Sequence, residues 1–117
     1  MPSRFLSQTD RNFFSSINRE LVGNLKNEKA IILQKNDWHP GVIGIVASRI
    51  KEIYNRPTII IAMGEAEGKG SCRSISGFDI VDALNKCQKH LIGYGGHPIA
   101  AGLSIHPENF EEFRNIF

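Results

Sequence analysis

The alternation of apolar and polar positions divides the chain into helices and strands in mixed order. Phe14, Ile17, Leu21 and Leu25 recur at three- and four-residue spacing, which predicts a helix over 7–25, started by Thr9 or Asp10 and ended by Gly23, Asn24 and Asn27. Residues 30–33 are a short apolar run between charges and predict a buried strand. A second helix is expected from Pro40, whose missing N–H costs nothing in a first helical turn, to about Tyr54, with Val42, Val46, Ile50 and Ile53 inward. Gly44 within it costs roughly 1 kcal/mol against alanine, so it marks close packing or the approach of a ligand. Residues 58–63 are almost wholly apolar and β-branched, the pattern of a strand covered on both faces.

Residues 64–68 then read as a turn and 69–75 as a third strand, antiparallel to the second because the connection is short. Asp79 is placed to cap a helix over 80–91, with Ile80, Leu84, Cys87 and Leu91 as its inward stripe. A glycine-rich loop over 94–102 leads into a strand over 101–105, and Pro107 opens a last helix with Phe110, Phe113 and Phe117 on one face. The sum is an α/β fold: a mixed β-sheet of about four or five strands flanked by helices, with one βαβ unit over 30–63. A linker helix region (1–28) precedes one domain (29–117). The last helix stops at Phe117 without a capping residue, as in a domain truncated at its C-terminus.

Composition narrows the function classes. A chain of 117 residues suits one domain, and a net charge of only +2 supplies no global basic field, so any contact with nucleic acid must be a local patch. The two cysteines, Cys72 and Cys87, lack a short spacing, which argues for reduced thiols in a cytoplasmic setting and against a zinc site. No apolar run approaches the ~18 residues of a membrane span, and no apolar signal core opens the chain.

Three segments carry candidate chemistry. In Tyr94-Gly95-Gly96-His97-Pro98-Ile99-Ala100-Ala101-Gly102 there are few side chains to hold a ligand off the backbone. Gly95 and Gly96 can aim successive N–H groups into one concavity suited to an oxyanion, and His97 adds a donor; a tight turn with a surface histidine is the plainer alternative. Asp37-Trp38-His39-Pro40-Gly41 lies between a strand and a helix N-terminus, where unpaired N–H groups attract anions. There His39 and the Gly41 backbone either grip a phosphate or simply cap the helix while Trp38 packs. Along 69–74, Lys69, Ser71 and Arg73 share one strand face and Cys72 and Ser74 the other. The first set is either a phosphate track, with Arg73 as bidentate donor, or a solvated face. Residues 64–71 imitate a phosphate-binding P-loop but have a short spacer, Gly70 after the lysine and a strand in place of the helix, so a nucleotide-triphosphatase is excluded. Asp37, Asp79 and Asp82 are scattered, the histidines form no ligand pair, and no metal is assigned to this chain.

Three of these stretches together resemble a known family. Asp37-Trp38-His39-Pro40-Gly41-Val42-Ile43-Gly44-Ile45-Val46-Ala47-Ser48-Arg49 resembles the W-H-P-G-V-I-G-I-V-A-S-R segment of the RecJ exonucleases, members of the DHH phosphoesterase superfamily. Residues 68–75 are similar to that family's G-x-G-S-x-R-S segment, and 94–102 to its G-G-H-x-x-A-A-G loop. The resemblance covers the C-terminal DHH-associated substrate-binding domain and implies part of a 5′-to-3′ single-stranded-DNA exonuclease of DNA repair and recombination. It implies phosphate contacts from Arg73 and Ser74, with Gly95, Gly96 and an auxiliary catalytic His97 beside the scissile phosphate, and His39 near the same cleft. Manganese or magnesium would belong to a separate DHH catalytic domain. This chain alone is then expected to bind single-stranded DNA weakly without cutting it. The alternatives are half of a short-oligonucleotide or dinucleotide phosphodiesterase, and a non-catalytic gene remnant or partner-binding module docking through Phe5, Leu6 and Phe117.

Overall fold

In the computed structural model, which describes residues 30–117, the apolar run at 58–63 becomes the centre of the molecule. This strand, β2 (Thr58–Met63), is buried at every position. Ile59, Ile61 and Met63 face one layer while Ile60 and Ala62 face the other, which is why the strand carries no alternation. Each fully buried isoleucine of this kind contributes about 1.5–3 kcal/mol. Parallel to it lies β1 (Ile31–Lys35), joined through α1 (Ile43–Tyr54) as the predicted βαβ unit. A tight turn closed by the Gly64 N–H on the Glu67 carbonyl, 3.0 Å, leads into the antiparallel β3 (Gly68–Arg73).

The chain then crosses under the sheet through α2 (Ile80–Asn85), whose start is capped by Asp79 accepting from the Asp82 N–H at 3.0 Å. It returns as the hairpin β4 (Gly93–Gly96) and β5 (Ala100–Ile105) and ends in α3 (Phe110–Ile116). The five strands lie in the order β1-β2-β3-β5-β4. One face is packed by α1 over Ile31, Leu33, Trp38, Val46, Ile50 and Ile60. The other is packed by α2 and α3 over Ile59, Ile61, Cys72, Leu84, Leu103 and Phe113.

The structure departs from the sequence expectations at several boundaries. The predicted linker helix, with Phe5 and Leu6, lies outside the described residues. Helix α1 begins at Ile43, because the Val42 N–H closes a turn on the His39 carbonyl. This start brings Ile43, Val46, Ala47 and Ile50 inward and leaves Ile53 57% exposed. The helix expected over 80–91 ends at Asn85: Lys86 and Cys87 bond three residues back, to Ala83 and Leu84, and the tightened turn swings Cys87 into the core. Of the expected glycine loop, 94–96 belong to strand β4 and 100–102 to β5. Phe117 is only partly exposed, its ring 5.6 Å from Phe113 and 6.3 Å from Phe78.

Candidate functional site

Helix α1 packs on β2 and β3, and on its side of the sheet β5 presents only Ala100, Gly102 and Ser104, each half-buried. The register runs Ile60, Ser71, Gly102 and Gly95 in one row across four strands. A second row runs Thr58, Arg73 and Ala100, and a third Ala62, Lys69, Ser104 and Gly93. Lys69, Ser71 and Arg73 therefore do share a face, and that face continues into a floor of small residues. A Cβ at Gly93 or Gly95 would meet nothing within 4 Å, and one at Gly102 only the Gly70 carbonyl at 3.6 Å. Glycines 68 and 70 face the opposite core, where a Cβ would meet Met63 Sδ at 2.7 Å and Leu103 Cδ1 at 2.8 Å.

Arg73 and Ser71 converge on the start of α1. A Cβ at Gly44 would lie 3.0 Å from Arg73 Nη2 and 3.3 Å from Ser71 Oγ, so the missing side chain is the space they occupy. Arg73 Nη1 donates to the Cys72 carbonyl at 2.8 Å, which anchors one arm of the fork. The N-cap residue of α1, Val42, offers no side-chain cap and the first turn has no acidic residue. Gly44 is in that first turn, so the guanidinium lies beside the helix start, where the partial positive charge of the first amides has no acidic partner. Beneath it, burial pushes the Cys72 thiol up to about 12, with Arg73 pulling weakly the other way.

The remaining candidates take distinct positions. His39 accepts the Gly41 N–H on Nδ1 at 2.9 Å, so it does cap the turn into α1, which leaves Nε2 as the donor of the neutral ring. Gly41 keeps that ring in place, since a Cβ there would meet it at 3.0 Å. Trp38 packs in the core under α1. Lys69 donates to Ser104 Oγ at 3.1 Å and pairs with Glu67 Oε2 at 2.7 Å. Neither partner was singled out from sequence, although the tight turn that puts Glu67 two residues before Lys69 was legible. Ser74 departs from the expected phosphate role: it is 1% exposed, its Oγ donates to the Phe78 carbonyl at 2.6 Å, and its N–H bonds Ile99. Those two bonds also end β3 at Arg73.

The Gly95–Gly96 pair does not form the expected concavity of successive amides. Only Gly96 has a positive φ, 143°, and a Cβ there would strike the Ala100 carbonyl at 2.6 Å. Gly95 is an ordinary strand residue paired with Gly102. His97 and Ala100 exchange both backbone hydrogen bonds, at 2.8 and 3.1 Å, and close a two-residue turn of Pro98 and Ile99. His97 is exposed at that tip, in the row of Arg73, whereas Lys69 lies four residues along β3, about 13 Å away. The structure brings Ser71, Arg73 and the α1 N-terminus together, with Gly95, Gly96 and His97 along the far edge of the same open face. Among the described residues no group of three or more His, Cys, Asp or Glu could hold a metal ion, and no helix is long and apolar enough to cross a membrane.

Comparison with known proteins gives a consistent set of matches. The DHHA1 domain model matches residues 27–117. The single-stranded-DNA-specific exonuclease RecJ of Bacillus subtilis is 41% identical over 91 residues, which cover 76% of this chain and 12% of the relative. That of Haemophilus influenzae is 47% identical over 93 residues, covering 74% of this chain and 16% of the relative. The crystal structure of RecJ in complex with Mn2+ from Thermus thermophilus superposes with a TM-score of 0.77 at 37% identity, covering 92% of this chain and 16% of that one. The chain thus spans about an eighth to a sixth of the length of these relatives.

Proposed function

Because the chain belongs to the DHHA1 domain family, in the form carried by the RecJ exonucleases, we propose that it is the substrate-gripping part of a RecJ-like single-stranded-DNA exonuclease acting in DNA repair and recombination. The observation that carries this reading is the convergence of Arg73 and Ser71 on the glycine in the first turn of α1. A phosphate seated there meets a guanidinium fork, a hydroxyl and helix-end amides together, and each is a donor to an anionic oxygen. The open floor of Gly93, Gly95 and Gly102 beside it lets the rest of the nucleotide lie against the sheet without meeting a side chain. His97, at the hairpin tip in the row of Arg73, is the auxiliary group at the reacting phosphate, and His39 borders the same helix end. Lys69 is a reserve contact, already satisfied by Glu67 and Ser104.

Among the described residues no group of His, Cys, Asp and Glu is placed to hold a metal ion. Divalent metal, and with it bond cleavage, would come from a DHH catalytic domain. The two buried free thiols suit the reducing cytoplasm.

The test is a fluorescence-anisotropy titration of the chain with labelled single-stranded oligonucleotides, with and without a 5′ phosphate. Arg73→Ala should weaken binding by about tenfold or more, the loss of a hydrogen bond to a charged group. Binding equal to wild type in that variant would sink the assignment, and so would metal-dependent cleavage by the pure chain.

A further inference from the structure

Among the described residues strand β4, Gly93, Tyr94, Gly95 and Gly96, is an edge strand with one neighbour, β5. Glycine loses more conformational freedom on ordering than any other residue, so such a strand is poorly held by its own composition. Its position must come from elsewhere, and Tyr94 is the single side chain it can use. Tyr94 lies on the face opposite the open floor, in the row of Gly70 and Leu103, and packs against the core under the sheet. Its hydroxyl donates to Asn85 Oδ1 at 2.6 Å.

Asn85 is the last residue of α2, and the first residue of that helix is also engaged: the Ile80 N–H donates to the Pro98 carbonyl at 3.0 Å, in the turn after His97. One short helix therefore holds the hairpin at two points, at Tyr94 and just beyond His97. The helix is itself anchored by Ile80 and Leu84, both 0% exposed. A third hold on the hairpin, the Ser74 N–H on the Ile99 carbonyl at 2.8 Å, comes from the end of β3.

We infer that α2 is a splint for the glycine hairpin, and that Tyr94 and Asn85 are positioning residues that set Gly95, Gly96 and His97 against the Arg73 site. The inference rests on the proposed function for what the hairpin touches, but not for the tether. Neither residue faces the open floor, so both act through the hairpin. Removing the hydroxyl frees the edge while the ring stays in the core.

The experiment uses the chain itself, with Tyr94→Phe, Asn85→Leu and Asn85→Asp. Asp keeps an acceptor oxygen for the tyrosine, whereas Leu has none. Amide hydrogen exchange is read at Gly95 and His97, whose N–H groups point to β5, and affinity for a 5′-phosphorylated single-stranded oligonucleotide is read by anisotropy. Tyr94→Phe and Asn85→Leu should each speed exchange at these amides by about tenfold, the effect of one lost hydrogen bond. They should weaken the oligonucleotide several-fold, leaving exchange in β2 unchanged, and Asn85→Asp should restore both readouts. Unchanged exchange in the Phe and Leu variants overturns the tether. Faster exchange with wild-type affinity, while Arg73→Ala loses the oligonucleotide, overturns the positioning role and leaves the phosphate reading standing. A wild-type chain that binds no oligonucleotide removes the phosphate reading and the positioning role with it.

Discussion

Gly44 has opposite effects on the helix that holds it and on the site it borders. Its Cβ position is filled by Arg73 Nη2 and Ser71 Oγ, so Gly44→Ala should gain up to about 1 kcal/mol of helix propensity while displacing the flexible guanidinium. The expected outcome is an unchanged or raised Tm with weaker oligonucleotide binding, measured on one preparation by thermal denaturation and anisotropy. Equal binding would mean that the guanidinium's present position is immaterial. Directly beneath, Cys72 separates folded from unfolded chain by its proton. An unfolded thiol titrates near 9.0 and the buried one near 12. Between these values the unfolded state binds fewer protons, so the contribution of this thiol to stability should be level below 9.0 and fall as pH climbs towards 12, by at most about 1.4 kcal/mol per unit. Urea midpoints across that range should fall less steeply in Cys72→Ala, and iodoacetamide should label Cys72 in the folded chain only as fast as it unfolds. Rapid labelling of the native thiol would contradict the burial argument. Residue identities made some of this legible and hid the rest. Gly44 stood out because glycine is costly in a helix, and Arg73 because it alternates with Ser71 and Lys69. That Ser74 spends its hydroxyl on the Phe78 carbonyl could not be read from a strand pattern, since the bond is made by the bend that ends the strand.

At the scale of elements, legibility followed the strength of the periodic signal. Strand β2 needs both faces covered, and its unbroken apolar run states this directly. The βαβ order and the short β2–β3 turn then dictate parallel and antiparallel pairing, as observed. The glycine segment failed as a prediction because β propensity resides in side chains, and Gly93, Gly95 and Gly96 have none. What makes them a strand is pairing to β5 and the hold of α2 on both ends of the hairpin. Helix α2 is shorter than its apolar pattern predicts, because an inward stripe at 80, 84, 87 and 91 is satisfied equally by a continuous helix and by a helix that tightens after Asn85. The open floor was invisible from sequence for another reason. It exists because α1 is seated over β2 and β3 and, among the described residues, no helix packs on the far strands on that side, a fact of strand order.

At the scale of the whole molecule, the small net charge of +2 makes the salt response of binding a count of individual contacts. For single strands the slope of log affinity against log salt is about −0.7 per neutralised phosphate. Arg73 sits at the helix end with one arm anchored and offers one such contact. Lys69 lies about 13 Å further along β3, but its ammonium is held by Glu67 at 2.7 Å, so a phosphate must displace a carboxylate to reach it. The wild-type slope should therefore be about −0.7, the value for a single phosphate. Glu67→Gln removes the competing charge, keeps the turn's backbone bond from Gly64, and hands Lys69 to the substrate. Its slope should steepen towards about −1.4, with tighter binding at low salt and little change at high salt. Adding Lys69→Ala to Glu67→Gln should return the slope to the wild-type value. A wild-type slope already about −1.4 would show that Glu67 does not restrain Lys69, and an unchanged slope in Glu67→Gln would place Lys69 outside the path of the nucleic acid.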